Sequence, residues 1–167
     1  MKTALFTILF SLFSVCSYAQ EQQDRSQSVS INISATVQST IELITIQTLD
    51  LQNADRDESI IEIDPGASSN AGNMVARGNP GSEFRLNYLE VRELTNAEGS
   101  GIIFFEYRVA GNTVDEQNTS ESLSQEVREL QFNDEGEYYL WVGGRVDLSN
   151  AEPGSYTGDF TIEIEYI

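Results

Sequence analysis

Past a polar opening at residues 20–27, apolar and polar positions alternate with a period of two. Val29, Ile31, Ile33, Ala35 and Val37 face one way, and Ser30, Asn32, Ser34 and Thr36 the other. Successive side chains of a pleated strand point to opposite faces, so this is the pattern of a strand with one buried face. Residues 41–51 are rich in β-branched side chains and read as one or two strands with a phase slip near Ile44. Residues 53–58 read as a polar loop, and residues 59–64 as a short strand stopped by Pro65-Gly66. Residues 74–77 form a brief strand before the turn Gly78-Asn79-Pro80-Gly81. Phe84, Leu86 and Tyr88 alternate, after which Leu89 and Val91 continue the apolar face in the opposite phase; a bulge near Tyr88 reconciles the two.

Residues 102–109 are a dense run of β-formers, and residues 112–122 are polar and loop-like. Leu123, Val127 and Leu130 have helical spacing, with Ser120 or Ser122 able to cap, which predicts a helical turn or two; Leu130 and Phe132 fit a strand equally well. Residues 137–142, 145–148 and 155–167 complete a set of about nine short strands separated by Gly, Pro and Asn turns, with no long helix. The prediction is an all-β fold, an immunoglobulin-like or pilin-like antiparallel β-sandwich, formed by residues 28–167 as a single domain. A barrel is the alternative.

The N-terminus has a different character. Lys2 precedes an apolar run over residues 4–15, broken only by Thr7, Ser11 and Ser14, and Ser17-Tyr18-Ala19 follows. This is the tripartite form of a secretory signal peptide, residues 1–19, with cleavage expected after Ala19. The run is shorter than the ~20 residues a bilayer requires, so no membrane insertion is expected after cleavage. Lipidation at Cys16 would need a small residue before it, and Val15 stands there. The expected destination is the periplasm, outer surface or exterior of a bacterium.

Export changes the charge and the chemistry. Lys2 is the sole lysine and Cys16 the sole cysteine, and there is no histidine. What remains is eight arginines against 27 carboxylates, so the net charge of −18 becomes −19 once Lys2 is removed. Duplex binding depends on Lys and Arg neutralising phosphates, which makes nucleic acid an unsuitable partner, and anionic lipid surfaces are disfavoured for the same reason. Without imidazole, thiolate or amine in the exported part, a Ser-His-Asp triad, Schiff-base chemistry and a His- or thiolate-ligated zinc site are excluded from this chain alone. Paired carboxylates would remain for glycoside hydrolysis, but no acid stands out by its context. The expectation is a protein that is not an enzyme and holds no cofactor. Calcium is the one metal with a candidate loop: Asp55, Asp57 and Glu58, near Asp50, supply hard oxygen ligands, without the glycine and distal glutamate of an EF-hand. Trp141, with Tyr138, Tyr139 or Tyr107, has rings suited to stacking on a sugar or anchoring an interface. Leu140 and Val142 point opposite to Trp141, so one of the two faces belongs to the core, and the Trp itself is expected there.

The C-terminal strand is the longest amphipathic stretch. Tyr156, Gly158, Phe160, Ile162, Ile164 and Tyr166 share one face, and Thr157, Asp159, Thr161, Glu163 and Glu165 the other. The segment Leu140-Trp141-Val142-Gly143-Gly144-Arg145-Val146-Asp147-Leu148, then Pro153-Gly154-Ser155-Tyr156-Thr157-Gly158-Asp159-Phe160, resembles the closing signature of the bacterial domain-of-unknown-function family numbered 4402. That family ends in a Val-Gly-Gly strand, a Pro-Ala-Gly-like turn, Tyr-x-Gly-x-Phe and a terminal Tyr. Thr48-Leu49-Asp50-Leu51 and Gly78-Asn79-Pro80-Gly81 with Phe84 are weaker echoes of its early motifs; Gln52 stands where the family has a glycine. The ending is also similar to chaperone-usher pilus subunits and spore coat protein U, which close on an alternating strand with a penultimate tyrosine and a glycine fourteenth from the end, here Tyr166 and Gly154. That resemblance implies a terminal-strand assembly motif over Gly154, Tyr156, Gly158, Phe160, Ile162, Ile164 and Tyr166. Val29, Ile31, Ile33 and Val37 would then belong to an edge strand that either closes its own sandwich or completes a neighbour's. The expected function is an exported structural or adhesive surface module, able to self-assemble as a fimbrial-type subunit, with a protein or surface glycan as partner. The alternative is a monomeric ligand-binding module.

Overall fold

The computed structural model describes residues 28–37, 41–51, 56–57, 59–124 and 129–167. Their strands are β1 (Ser28–Val37), β2 (Glu42–Gln47), β3 (Arg56–Asp57), β4 (Ile60–Ile63), β5 (Gly72–Arg77), β6 (Glu83–Tyr88), β7 (Val91–Asn96), β8 (Ile102–Asn112), β9 (Glu121–Leu123), β10 (Leu130–Gln131), β11 (Glu137–Asp147) and β12 (Ser155–Tyr166). No α-helix occurs among the described residues; a 3₁₀ turn at Gln117–Thr119 interrupts the polar stretch before β9. The protein is all-β.

All twelve strands join one hydrogen-bonded network, ordered β10-β6-β12-β7-β8-β11-β4-β3, with β5 and β2 also built onto β11, β9 onto β8 and β1 onto β12. This network folds back on itself. β8 and β12 share no ladder, yet Tyr107 stacks on Phe160 with ring centroids 4.2 Å apart. β6 and β11 share none either, and Phe84 meets Tyr138 edge-on at 5.2 Å. The inward faces of β6 and β12 therefore pack against those of β8 and β11, consistent with two layers around one core. Phe84, Leu94, Phe105, Val109, Leu140, Val142, Phe160 and Ile162 are all sealed from solvent there.

Several local expectations change. Leu123 lies in β9 and Leu130 in β10, so the helical spacing does not form a helix at those two positions; Val127 lies outside the described residues. Arg56 and Asp57, expected in a loop, pair with Ile61 and Ile60. The phase slip near Ile44 appears as a register shift between Thr45 and Gln47 against β5.

The apolar face does not continue through Leu89 and Val91, which are 59% and 55% exposed. Between β6 and β7 the chain leaves β12, which it pairs through Tyr88↔Ile162, and moves onto β8, which it pairs through Val91↔Glu106. That shift of partner passes the inward phase to Arg92, Leu94 and Asn96. Trp141 is buried, but not with Leu140 and Val142. It shares the opposite face with Val75 and Ala110, which the ladders place beside it. Pro65 lies over Gly143 on that face, where an added Cβ would come within 3.0 Å of the proline ring, and Gln117 ties the turn down through Pro65 O at 2.9 Å and Ser68 O at 2.8 Å.

Tyr107 is 1% exposed, and its hydroxyl has no hydrogen-bond partner among the described residues. Burial pushes its phenol well above the usual tyrosine range, with Arg92 nearby opposing that rise. A buried hydroxyl without a partner carries its desolvation cost uncompensated. Tyr107→Phe keeps the ring on Phe160 and removes that cost, so it is expected to leave the thermal midpoint unchanged or raised, by about 1 kcal/mol of stability. A clear drop in a melting experiment would show that the hydroxyl is paired in solution.

Candidate functional site: the terminal-strand seam

β12 keeps the two faces read from its sequence. Tyr156, Phe160, Ile162 and Ile164 are buried, while Thr157, Asp159, Glu163 and Glu165 are exposed. Tyr166, half-buried, accepts the Asn79 amide on its hydroxyl at 2.8 Å, fastening the strand's end to the Gly78-Asn79-Pro80-Gly81 turn. Tyr156 donates its hydroxyl to Glu152 O at 2.8 Å, fastening the strand's start.

Two glycines of the terminal motif admit neighbours that a side chain would displace. An added Cβ on Gly158 would lie 2.3 Å from Leu94 Cδ2, so this glycine lets β7 press its leucine against β12. Gly154 has φ +155, and its missing side chain leaves room for the Asn96 carboxamide, whose atoms would lie 2.5 Å and 2.6 Å from a Cβ. Asn96 uses that position to accept from Glu98 N at 2.9 Å and to donate to Pro153 O at 3.4 Å, joining the β7–β8 turn to the turn before β12.

One edge of β12 meets β6 through residues 162–166 and β7 through residues 156–157. The other is covered over ten positions by β1, from Ser28↔Ser155 to Val37↔Ile164, and the pairing is parallel. Every other ladder among the described residues is antiparallel. The register sets Val29, Ile31, Ile33 and Val37 opposite Tyr156, Gly158, Phe160 and Ile164. The structure thus brings the two predicted end-strand motifs together, and Ile31 packs, partly buried, against the core. β1 has no second ladder among the described residues.

Other predicted positions lie elsewhere. Ala19, Asp55 and Glu58 are outside the described residues, and Asp57 is placed only as a backbone position of β3. No group of three metal-ligating side chains occurs among the described residues. Tyr139 stacks on Trp141 at 6.4 Å and donates its hydroxyl to Glu137 Oε2 at 2.5 Å, while Arg77 holds Glu137 Oε1 at 3.0 Å. The Tyr139 hydrogen bond, with Arg77 assisting, holds the Glu137 carboxyl below its usual range; the same bond pushes the Tyr139 phenol up to about 12. A carboxyl lowered by folding stabilises above its unfolded value near 4.5 and loses that contribution as pH falls through its folded value. A phenol raised by folding stabilises below its unfolded value of 10.0 and loses that contribution as pH rises toward about 12. Tyr139→Phe should therefore flatten the stability profile at both extremes, measurable as chemical-denaturation midpoints below pH 5 and above pH 10.

A groove of about 440 Å³ opens where β6 gives way to β7 beside β12. It is lined by Asn87, Tyr88, Leu89, Arg92, Thr161 and Glu163. Sequence reading did not find it. A cation in the inward phase of β7, in a chain of net charge −18, was the available signal.

The model of the family described as Domain of unknown function (DUF4402) matches residues 22–166, and the chain belongs to that family. A search of curated proteins found no match. No helix among the described residues is long and apolar enough to cross a membrane.

Proposed function

We propose that this chain is an exported, non-catalytic module of the bacterial cell surface, structural or adhesive, built as an immunoglobulin-like or pilin-like sandwich and used as a fimbrial-type subunit. The observation that carries the reading is the seam: the amphipathic N-terminal strand lies parallel along one β12 edge from Ser155 to Ile164 and has no second ladder among the described residues. An amphipathic strand held by a single ladder among the described residues suits addition to or exchange with a neighbour's sheet. In this reading the chain folds as a self-contained monomer with β1 in place, and assembly is a second event. The acidic surface keeps β1 from uncontrolled pairing at neutral pH.

Mass spectrometry of the protein recovered outside the cytoplasm, together with protease treatment of whole cells, tests the reading. The expected species begins at Gln20 and is cleaved by added protease. A chain found in the cytoplasm with residues 1–19 attached, or carrying lipid on Cys16, would overturn it. A monomeric ligand-binding module is the second reading, favoured by the groove beside Arg92.

A further inference from the structure

Arg92 and Arg145, both half-buried, are the two arginines with described side chains that are in no ion pair among the described residues. Arg77, Arg85 and Arg108 are in ion pairs with Glu137, Glu165 and Glu62. Arg92 is half-buried and has no carboxylate among the described residues within ion-pair reach, although the chain holds 27 of them. Its Nε donates to Asp159 O at 3.2 Å, spanning the stretch of β12 between the β7 and β6 ladders. That bond fixes the plane of the guanidinium and leaves both terminal nitrogens for something else. A half-buried cation is costly unless its donors are used, and a planar fork is matched by a carboxylate.

The rest of the groove narrows the choice. Its volume of about 440 Å³ is that of a small-molecule site. Asn87 and Glu163 face each other across the β6–β12 ladder, both exposed, one offering an amide and the other an acceptor-only carboxylate. Leu89, 59% exposed, adds an apolar surface at the same opening. A ligand suited to all of these carries one carboxylate for Arg92, hydroxyls for Asn87 and Glu163, and a C–H face for Leu89. Glu163 would repel a second negative charge. A neutral sugar would leave the Arg92 fork unused, and a plain peptide carboxylate would leave Asn87 and Glu163 without hydroxyl partners.

We propose that the groove formed by Asn87, Leu89, Arg92 and Glu163 binds a hexuronate unit of an acidic glycan. This deepens the adhesive side of the surface-module reading and rests on it. The site uses no part of β1, so binding is independent of strand exchange.

The test is titration of the full exported protein with a trisaccharide that carries one galacturonate between two neutral sugars, followed by calorimetry and by amide chemical shifts. The fully methyl-esterified trisaccharide and an acetylated tetrapeptide with a free C-terminal carboxylate serve as comparisons. The acidic trisaccharide is expected to bind and to shift signals from β6, β7 and β12, and the two comparison ligands to bind at least about tenfold more weakly, the loss of one charge-assisted pair. Arg92→Gln should reduce affinity by a similar factor. Asn87→Asp, at an exposed position that leaves the core untouched, should do the same by adding a charge, and it decides the question if Arg92→Gln fails to fold. Absence of binding, equal binding of the ester or the peptide, or binding unchanged in Asn87→Asp would overturn the proposal. None of these outcomes bears on export or surface exposure, which mass spectrometry and protease read separately.

Discussion

Deleting residues 20–38 is expected to abolish the folded monomer, and adding the missing strand as a free peptide to restore it. β1 covers β12 over ten paired positions. A net contribution of about 0.5–1.5 kcal/mol per hydrogen bond puts the ladder alone at roughly 5 kcal/mol or more, before any apolar burial. Domains of this kind have about 5–15 kcal/mol in total. Removing β1 also uncovers one edge of β12, and a long uncovered edge beside buried aromatic residues is a template for pairing with another chain. The deleted form should therefore precipitate or form oligomers on size-exclusion chromatography, and a peptide of residues 28–38 should return it to monomer size with a recovered β-type spectrum. In the full chain the same peptide should exchange in poorly, because the short connection from β1 to β2 holds the native strand at an effective concentration in the millimolar range. Lowering the pH toward the isoelectric point near 4.1 removes the repulsion between chains, so association should rise there. A deleted form that stays monomeric with an unchanged melting profile would show that β1 is dispensable. Polymers of the full chain that run through this strand at neutral pH would show instead that it serves a neighbour first.

What was legible in the sequence was whatever a strand's own side chains decide. The two faces of β12 could be read because solvent on one side and core on the other impose a period of two on the strand itself. Pairing is a relation between strands, and so it was not legible. Nothing in residues 29–37 says whether their partner runs parallel, and β1 does run parallel to β12. Leu89 and Val91 misled because apolar identity was taken for burial where the chain changes ladders. Trp141 was correctly expected to be buried and wrongly assigned to the main core, because it lies on the opposite face of β11, where the Pro65 turn from a distant loop folds over Gly143. Leu123 and Leu130 fit a helix by spacing alone, but their backbones are engaged by Val109 and Phe84 across ladders. The groove at Arg92 required all of these relations at once, since β6, β7 and β12 each contribute to it.

Phe104, Phe105 and Phe160 separate identity from environment, and the last of them is expected to show the largest effect of any single substitution. Phe104 is 59% exposed and Phe105 fully buried, although they are consecutive in β8. Phe104→Ser should change stability by no more than about 0.5 kcal/mol, as exposed positions generally do. Phe160 is fully buried, stacks on Tyr107 at 4.2 Å and meets Tyr88 edge-on at 5.8 Å. Its ring packs on a ring of β8, a strand with which β12 shares no ladder, so truncation leaves a cavity between folded-back parts of the network that ladders on either side hold apart. Phe160→Ala should therefore cost about 3–5 kcal/mol, toward the upper end because those ladders oppose collapse. Against a total of about 5–15 kcal/mol, that lowers the urea midpoint sharply or leaves the variant unfolded at 37 °C. Phe160→Leu, which fills most of the volume, should recover much of the loss and so separate packing from a failure to pair with β1. Equal midpoints for Phe104→Ser and Phe160→Ala would mean that the two layers do not meet at this ring.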